Sequence, residues 1–284
     1  MKFISRILPG VFVLLIFILN DNPTVAQTTG SQPEKRSRKE KKAEKTARIN
    51  EMIRLEEEGS IIYPKQNVFG FKLYSDGWAG FYEKGKQKTV NKANLYSIEF
   101  GERKHPKEVK LYNVTGGGGG WIFGQPLIYG KENNFYYLKL GVGQSYLIGG
   151  KGNKNGVSVS AIYGGGLSLG LLKPYMVDIQ EPLTGQLIAI KWEGGDGPYD
   201  QNFLTNPLGS SGVFKGARDT QFKPGAFLKG GLRFDYGRYN EVVSALEVGF
   251  NMEYYSAEMP IMIANEAKRS FLNVFVAIEF GRRK

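Results

Sequence analysis

Two consecutive stretches, residues 134–149 and 156–172, alternate between apolar and small or polar side chains with a period of two. In the first, Tyr136, Leu138, Leu140, Val142, Tyr146 and Ile148 share one face, broken only by Gln144, and Tyr137, Lys139, Gly141, Gly143 and Ser145 share the other. In the second, Val157, Val159, Ala161, Tyr163, Leu167, Leu169 and Leu171 oppose Ser158, Ser160, Gly164, Gly166, Ser168 and Gly170. Successive side chains of a strand point to opposite faces, so this alternation specifies β-structure. Strands of globular domains usually run ~5–6 residues, whereas a tilted strand crossing a bilayer needs ~9–11. Such length and alternation together point to a barrel with its oily face toward lipid and its small and ionic face inward.

Composition permits this. A mean hydropathy of −0.31 reads as water-soluble, but a barrel exposes only alternate residues to lipid and dilutes its own hydrophobicity. The 284 residues leave room for one barrel with appendages. A formal charge of +11 favours anionic partners. The chain has no Cys and one His. That excludes a disulfide framework, a thiol nucleophile and a multi-histidine metal site. A soluble barrel or sandwich is the competing reading, and it requires the Gly, Ser and charged faces to form the exterior.

The first residues supply a compartment. Lys2 and Arg6 precede an apolar core at 11–19, and Pro23, Thr24, Val25 and Ala26 offer a small-residue cleavage site. This is the layout of a secretory signal peptide spanning 1–26. The apolar run is too short for an uncleaved spanning helix, which needs ~20 residues. Residues 27–60 form a linker followed by a charged helix without Gly or Pro from 34 to 58. Lys35, Arg36, Arg38, Lys39, Lys41, Lys42, Lys45 and Arg48 lead it, and Glu56, Glu57 and Glu58 close it. The helix is expected to be a solvated lead-in to the barrel, or to offer an anionic periplasmic partner its basic stretch 35–48. Export leaves no role for nucleic acid.

The remainder, 67–284, reads as eight strands. Asp76 and Gly77 are a two-residue hairpin signal between strands at 68–75 and 78–86. A third covers 94–101. After the long pair come strands carrying Leu228, Leu232 and Phe234, then Leu246, Val248 and Phe250, then Leu272, Val274, Val276, Ile278 and Phe280. Connections at 84–92, 149–155 and 237–241 are short. Those at 102–133, 173–221 and 255–269 are long and read as mobile. Short periplasmic turns and long outer loops place both termini in the periplasm. The fold expected is all-β: a transmembrane antiparallel up-and-down barrel of eight strands preceded by a charged α-helix.

The last strand, alternating and ending in the aromatic Phe280, resembles the C-terminal strand by which outer-membrane barrels are recognised for insertion. Over 67–284 the chain is similar to small OmpA-like eight-stranded barrels in the style of Bacteroidota envelope proteins. The resemblance implies an outer-membrane location and assembly by the barrel-insertion machinery, and it carries no active-site residue.

Inward-facing Lys72, Glu99, Lys139, Lys229, Arg233, Asp235, Glu247, Glu253 and Glu279 are expected to pair as a lumen charge network, because eight strands leave just enough interior for side chains. The lumen glycines 141, 143, 164, 166 and 170 would make room for these long charged groups. Arg103, Lys104, Lys107 and Lys110 lie where the third strand emerges outside, as candidate contacts for lipopolysaccharide phosphates. Glu108–112 and 121–129 are read as extensions of neighbouring strands. His105 raises a second idea, a general base for a lipid-modifying hydrolase, but no Ser stands in sequence context to serve as nucleophile. Glu193, Asp196 and Asp200 match no calcium loop and read as a flexible acidic stretch. The glycines at 116–120 lack the Lys-Ser/Thr of a phosphate loop. No catalytic residue, metal or cofactor is assigned. The role expected is non-enzymatic: structural, scaffolding or surface-binding, with the hydrolase and a small pore as alternatives.

Overall fold

In a computed structural model the chain divides into two compact units, Met1–Arg48 and Ile49–Lys284. The structure describes residue 46 and residues 63–111, 114–117, 120–123, 126–151, 156–237 and 242–284. The expected signal peptide and the basic stretch 35–48 lie outside the described residues, apart from Thr46, which is helical.

The second unit contains a closed barrel of eight antiparallel strands: β1 (Lys65–Tyr74), β2 (Gly77–Thr89), β3 (Lys92–Arg103), β4 (Asn133–Gly149), β5 (Ser158–Pro174), β6 (Gln221–Asp235), β7 (Val242–Met259) and β8 (Lys268–Arg283). Each strand pairs with its neighbours in sequence, and β1 pairs with β8 to close the wall, with Phe69 opposite Phe280. Closure removes the sheet edges that would otherwise leave backbone groups unpaired in hydrocarbon. The strands run longer than their apolar cores. β2 and β3 extend to within two residues of each other, so the expected turn at 84–92 shrinks to residues 90 and 91. β7 continues to Met259, so the last long loop is residues 260–267. The segment after Phe280 stays in the wall, with the Arg283 side chain turned inward.

The amphipathicity is inside out. Phe69, Phe71 and Leu73 on β1, Tyr96, Ile98 and Phe100 on β3, Val248, Phe250 and Met252 on β7, and Val274, Val276, Ile278 and Phe280 on β8 are all exposed on the outer face. Arg233 and Glu247 are buried. Outward rings stack along the wall: Phe71 on Trp78, and Phe100 on Tyr136. In water such a belt would aggregate; in a bilayer it is the lipid-facing surface of a transmembrane barrel.

The inward face is more apolar than expected. Phe81, Phe135, Tyr137, Tyr255 and Phe275 point into the barrel and, with Tyr74, Leu172, Met259, Ile261 and Met262, form a buried cluster toward the loop-bearing end. None of the lumen glycines of β4 and β5 has a charged side chain as its nearest neighbour: Gly143, Gly164 and Gly166 lie against the backbone of the adjoining strand, and Gly141 and Gly170 lie against apolar side chains. A Cβ on Gly141 would lie 2.8 Å from the Phe227 ring, and one on Gly170 would lie 2.5 Å from Met259 Cε and 3.1 Å from the Tyr255 ring.

Two expectations about the outer loops are corrected. The segment between β5 and β6 is a built module. A three-stranded sheet of Val177–Gln180, Leu187–Ile190 and Gly209–Ser210 packs with helix α1 (Asp200–Thr205) over a core of Val177, Ile179, Ile190 and Phe203. Leu127 and Tyr175 complete that core, and Ile263 packs against it, so all three long loops meet there. Between Arg103 and Asn133, the stretches expected to extend the barrel strands do not do so. Lys110–Leu111 pairs with Leu127–Ile128, and Val114–Gly117 with Gly120–Phe123, as separate ribbons.

Candidate functional site

Alternation delivers twelve buried charged side chains to the barrel interior; with Lys151 from the turn after β4 and the part-buried Asp76 of the β1–β2 hairpin, they sort into two tiers. Toward the loops, the Glu99 carboxylate accepts hydrogen bonds from Lys72 Nζ at 2.7 Å, Tyr74 Oη at 2.6 Å and Lys139 Nζ at 3.1 Å. Lys139 reaches on to Glu253 at 2.5 Å, and Glu253 also accepts from Asn251 Nδ2 and Tyr255 Oη, both at 2.6 Å. Arg103 pairs with the same Glu253 and with Asp76 at 2.5 Å. Aromatic faces back the cations. Lys139 lies 4.2 Å from the Tyr137 ring centroid, Lys72 lies 4.5 Å from that of Phe81, and Arg103 lies 5.1 Å from that of Phe271.

The second tier centres on Arg233, which pairs with Glu83 at 2.9 Å, Glu247 at 2.8 Å and Glu279 at 2.7 Å. Lys229 approaches Glu83 at 3.7 Å. Below it Asp235 pairs with Arg283 and, at 3.6 Å, with Lys151. Each tier is neutral by formal charge. Lys72, Lys139 and Arg103 face Glu99, Glu253 and Asp76; Arg233, Lys229, Arg283 and Lys151 face Glu83, Glu247, Glu279 and Asp235. Charges withdrawn from water persist when paired, and every charge in both tiers has an ion-pair partner, with the Glu83 and Glu279 carboxylates held by ion pairs alone, without hydrogen bonds.

All nine residues assigned to the lumen from sequence lie in these tiers. Asp76, Glu83, Lys151 and Arg283 join them without having been expected there. Glu83 follows the inward phase of β2, so its alternation was a usable signal; Lys151 and Arg283 sit beyond the apolar cores, where alternation gives none. Arg103 is the correction. Its sequence position suggests the outer rim, but its side chain is 1% exposed and turned into the barrel. The phase of β3 decides this: Leu95, Glu99, Gly101 and Arg103 share the inward face. Lys104, Lys107 and Lys110 are exposed.

A second site lies at the barrel's loop-bearing end. The hairpin joining β1 and β2 is short, whereas β8 begins at Lys268 and meets β1 only from Phe275 onward. The wall therefore has a notch above residues 75 and 76. It holds a cleft of about 790 Å³ lined by Ser75, Asp76, residues 104–107, residues 264–266 and residues 270–273, with Ile261 and Lys268. His105, the chain's one histidine, sits here. Its main-chain N–H donates to the Glu108 carboxylate at 2.9 Å, and its Nδ1 accepts the Lys107 main-chain N–H at 3.3 Å. Partial burial, then the Lys107 and Lys268 ammonium groups, hold the imidazole below its ordinary pKa, with Glu108 opposing. Ser75 and Ser270 line the same cleft, which the sequence did not associate with His105. The Ser75 hydroxyl faces the Asn273 amide.

The acidic stretch has a structural use. The buried Asp200 carboxylate accepts main-chain N–H groups of Glu193 at 2.9 Å, Gly195 at 2.7 Å and Gly197 at 3.1 Å. The loop thus wraps around one side chain. Gly194 and Gly195, with φ of 95° and 101°, adopt the left-handed backbone this wrapping requires.

No protein-family model matches the chain, and no curated protein matches it. Among solved structures, it is similar to Neisserial surface protein A, with 10% identity, a TM-score of 0.36, and coverage of 78% of this chain and 95% of the other. The N-terminal β-barrel domain of OprF from Pseudomonas aeruginosa gives 10% identity, a TM-score of 0.35 and coverage of 77% and 98%. A major outer membrane protein from Thermus thermophilus gives 10% identity, a TM-score of 0.40 and coverage of 78% and 98%. Likeness at this level assigns neither function nor ligand to the present chain.

Proposed function

We propose that the protein is an outer-membrane β-barrel of a Gram-negative envelope, with a non-enzymatic structural, scaffolding or surface-binding role. The observation that carries the reading is the closed barrel with an apolar exterior and an interior filled by two neutral charge tiers and an aromatic cluster. A filled interior weighs against a pore. In the proposed orientation both termini and the short turns face the periplasm, and the three long loops face outward. The alternating β8 with its terminal aromatic Phe280 would be read by the barrel-insertion machinery. Lys104, Lys107 and Lys110 would engage phosphates of lipopolysaccharide, and the basic stretch 35–48 an anionic periplasmic partner. The loop module over 175–220, with exposed Leu183, Leu187 and Phe214, is the surface offered to external partners.

The test is gel migration of the membrane fraction with and without boiling. A folded barrel in detergent migrates differently in the two states. Recovery in the soluble fraction with a single migration position overturns the reading.

A further inference from the structure

The notch above the β1–β2 hairpin combines three features that a filled, neutral barrel does not need. The first is position. Trp78 opens β2 beside the hairpin on the outer face, its Nε1 donating to Glu102 at 3.2 Å, and a half-exposed tryptophan in a barrel wall marks the boundary between hydrocarbon and water. The notch therefore opens at the height of lipid headgroups. The second is access. From Lys268 to Asn273, β8 pairs with β7 on one side and lacks β1 on the other. This free edge runs about 20 Å at strand spacing. Along it Leu272, 74% exposed, faces the lipid side, while Phe271 and Ile261 line the inner side.

The third is charge. Among the described residues, Lys104 and Lys268 have no carboxylate partner, and Lys107 donates to the neutral Asn265 Oδ1 at 2.8 Å. Against these three ammonium groups the cleft presents Glu266 and an Asp76 already paired with Arg103. Among the described residues, each cation of the two interior tiers is matched by a carboxylate. Here two positive charges remain unmatched around a cavity with an apolar side. An anion restores the balance, and an oily chain fits the open edge.

We propose that this notch binds one phosphate-bearing lipid of the surrounding leaflet. Its phosphate sits among Lys104, Lys107, Lys268 and His105, and an acyl chain lies along Leu272. The proposal rests on the outer-membrane reading and refines it: it names a single cleft in place of a diffuse basic rim, and it leaves Lys110 out.

His105 is the only histidine, so its ring resonances report this cleft without assignment ambiguity. The full chain in dodecyl maltoside micelles is titrated with short-chain phosphatidic acid, with phosphatidylcholine of equal chain length, and with inorganic phosphate. Phosphatidic acid is expected to shift the ring signals saturably and to raise the His105 pKa by about one pH unit, since a bound anion favours the imidazolium. Inorganic phosphate is expected to bind at least tenfold more weakly, lacking the chain. K104Q/K268Q is expected to lose at least tenfold in affinity, and K110Q, with a charge removed outside the cleft, to bind as the parent does. Equal response to phosphatidylcholine removes the charge requirement, and equal affinity for inorganic phosphate removes the lipid; either overturns the proposal. An equal loss in K110Q also overturns it and leaves the basic rim standing. Retained heat-modifiable migration in each variant separates loss of the site from loss of the barrel.

Discussion

Arg103 on β3 and Glu253 on β7, 150 residues apart in sequence, form a buried ion pair across the barrel interior. Their strands are diametrically opposed: four steps separate them whichever way the wall is followed. Arg233 on β6 and Glu83 on β2 make the same crossing in the second tier. The eight-stranded wall is thus braced from within at two levels, and no hydrogen bond of the sheet itself could provide that.

Breaking one brace should cost far more than an ordinary surface pair. Arg103→Gln leaves Glu253 and Asp76 buried without their guanidinium, and removal of one buried partner typically costs about 3–5 kcal/mol. Urea unfolding of the barrel refolded into thin-chain vesicles is expected to show a loss of that order. Replacing the carboxylate as well, in R103Q/E253Q, is expected to restore a measurable part of it. A single variant as stable as the parent would mean the pair contributes nothing.

Arg233 and Arg269 provide an internal contrast. Arg233 serves three buried carboxylates, while Arg269 meets Glu258 at 3.1 Å with both side chains about half exposed. Exposed pairs contribute at most about 1 kcal/mol. R233L is expected to abolish or severely impair refolding, and R269L to change the unfolding midpoint within error.

Gly170 is a packing position on the lumen face of β5. A side chain there meets Met259 and Tyr255 inside the barrel, and overpacking a filled interior costs about 1–3 kcal/mol. G170V is expected to destabilise by that amount in the same vesicle assay. The companion M259A should soften the loss, because the methionine end is the nearest obstacle.

Asp200 anchors the outer module through three main-chain donors. Hydrogen bonds to a charged group are worth about 1.5–3 kcal/mol each. D200A is expected to admit protease cleavage within residues 191–200 while the barrel keeps its heat-modifiable migration. Unchanged proteolysis would show that the module is held by its apolar core alone.

The two tiers and the ring cluster leave little room for water. Planar bilayers containing the purified protein are expected to show no stable conductance steps. A steady unit conductance that survives removal of the outer loops would return the pore to consideration.

Strand alternation made the barrel legible from sequence, because a lipid-facing wall allows only one phase per strand. Phe69, Val248 and Phe280 outside, with Lys139, Arg233 and Glu247 inside, follow from that phase alone. Arg103 was misplaced because β3 continues past its apolar stretch: where outward residues turn polar, the alternation carries no hydrophobic signal. The inward aromatics were legible in phase, yet their role was not. Whether Tyr137 backs Lys139 or fills space depends on what arrives from β1 and β7.

The sequence by itself determined strand number, wall topology and the inward charges, since each of these is a local periodicity read one strand at a time. Only the tertiary structure decided which charge meets which, that residues 175–220 enclose a core, and that Lys104, His105 and Lys268 share a notch in the wall. Those are contacts between segments distant in sequence. They depend on the relative heights of β1, β3 and β8 around the barrel, which closure of the sheet sets and no single strand encodes.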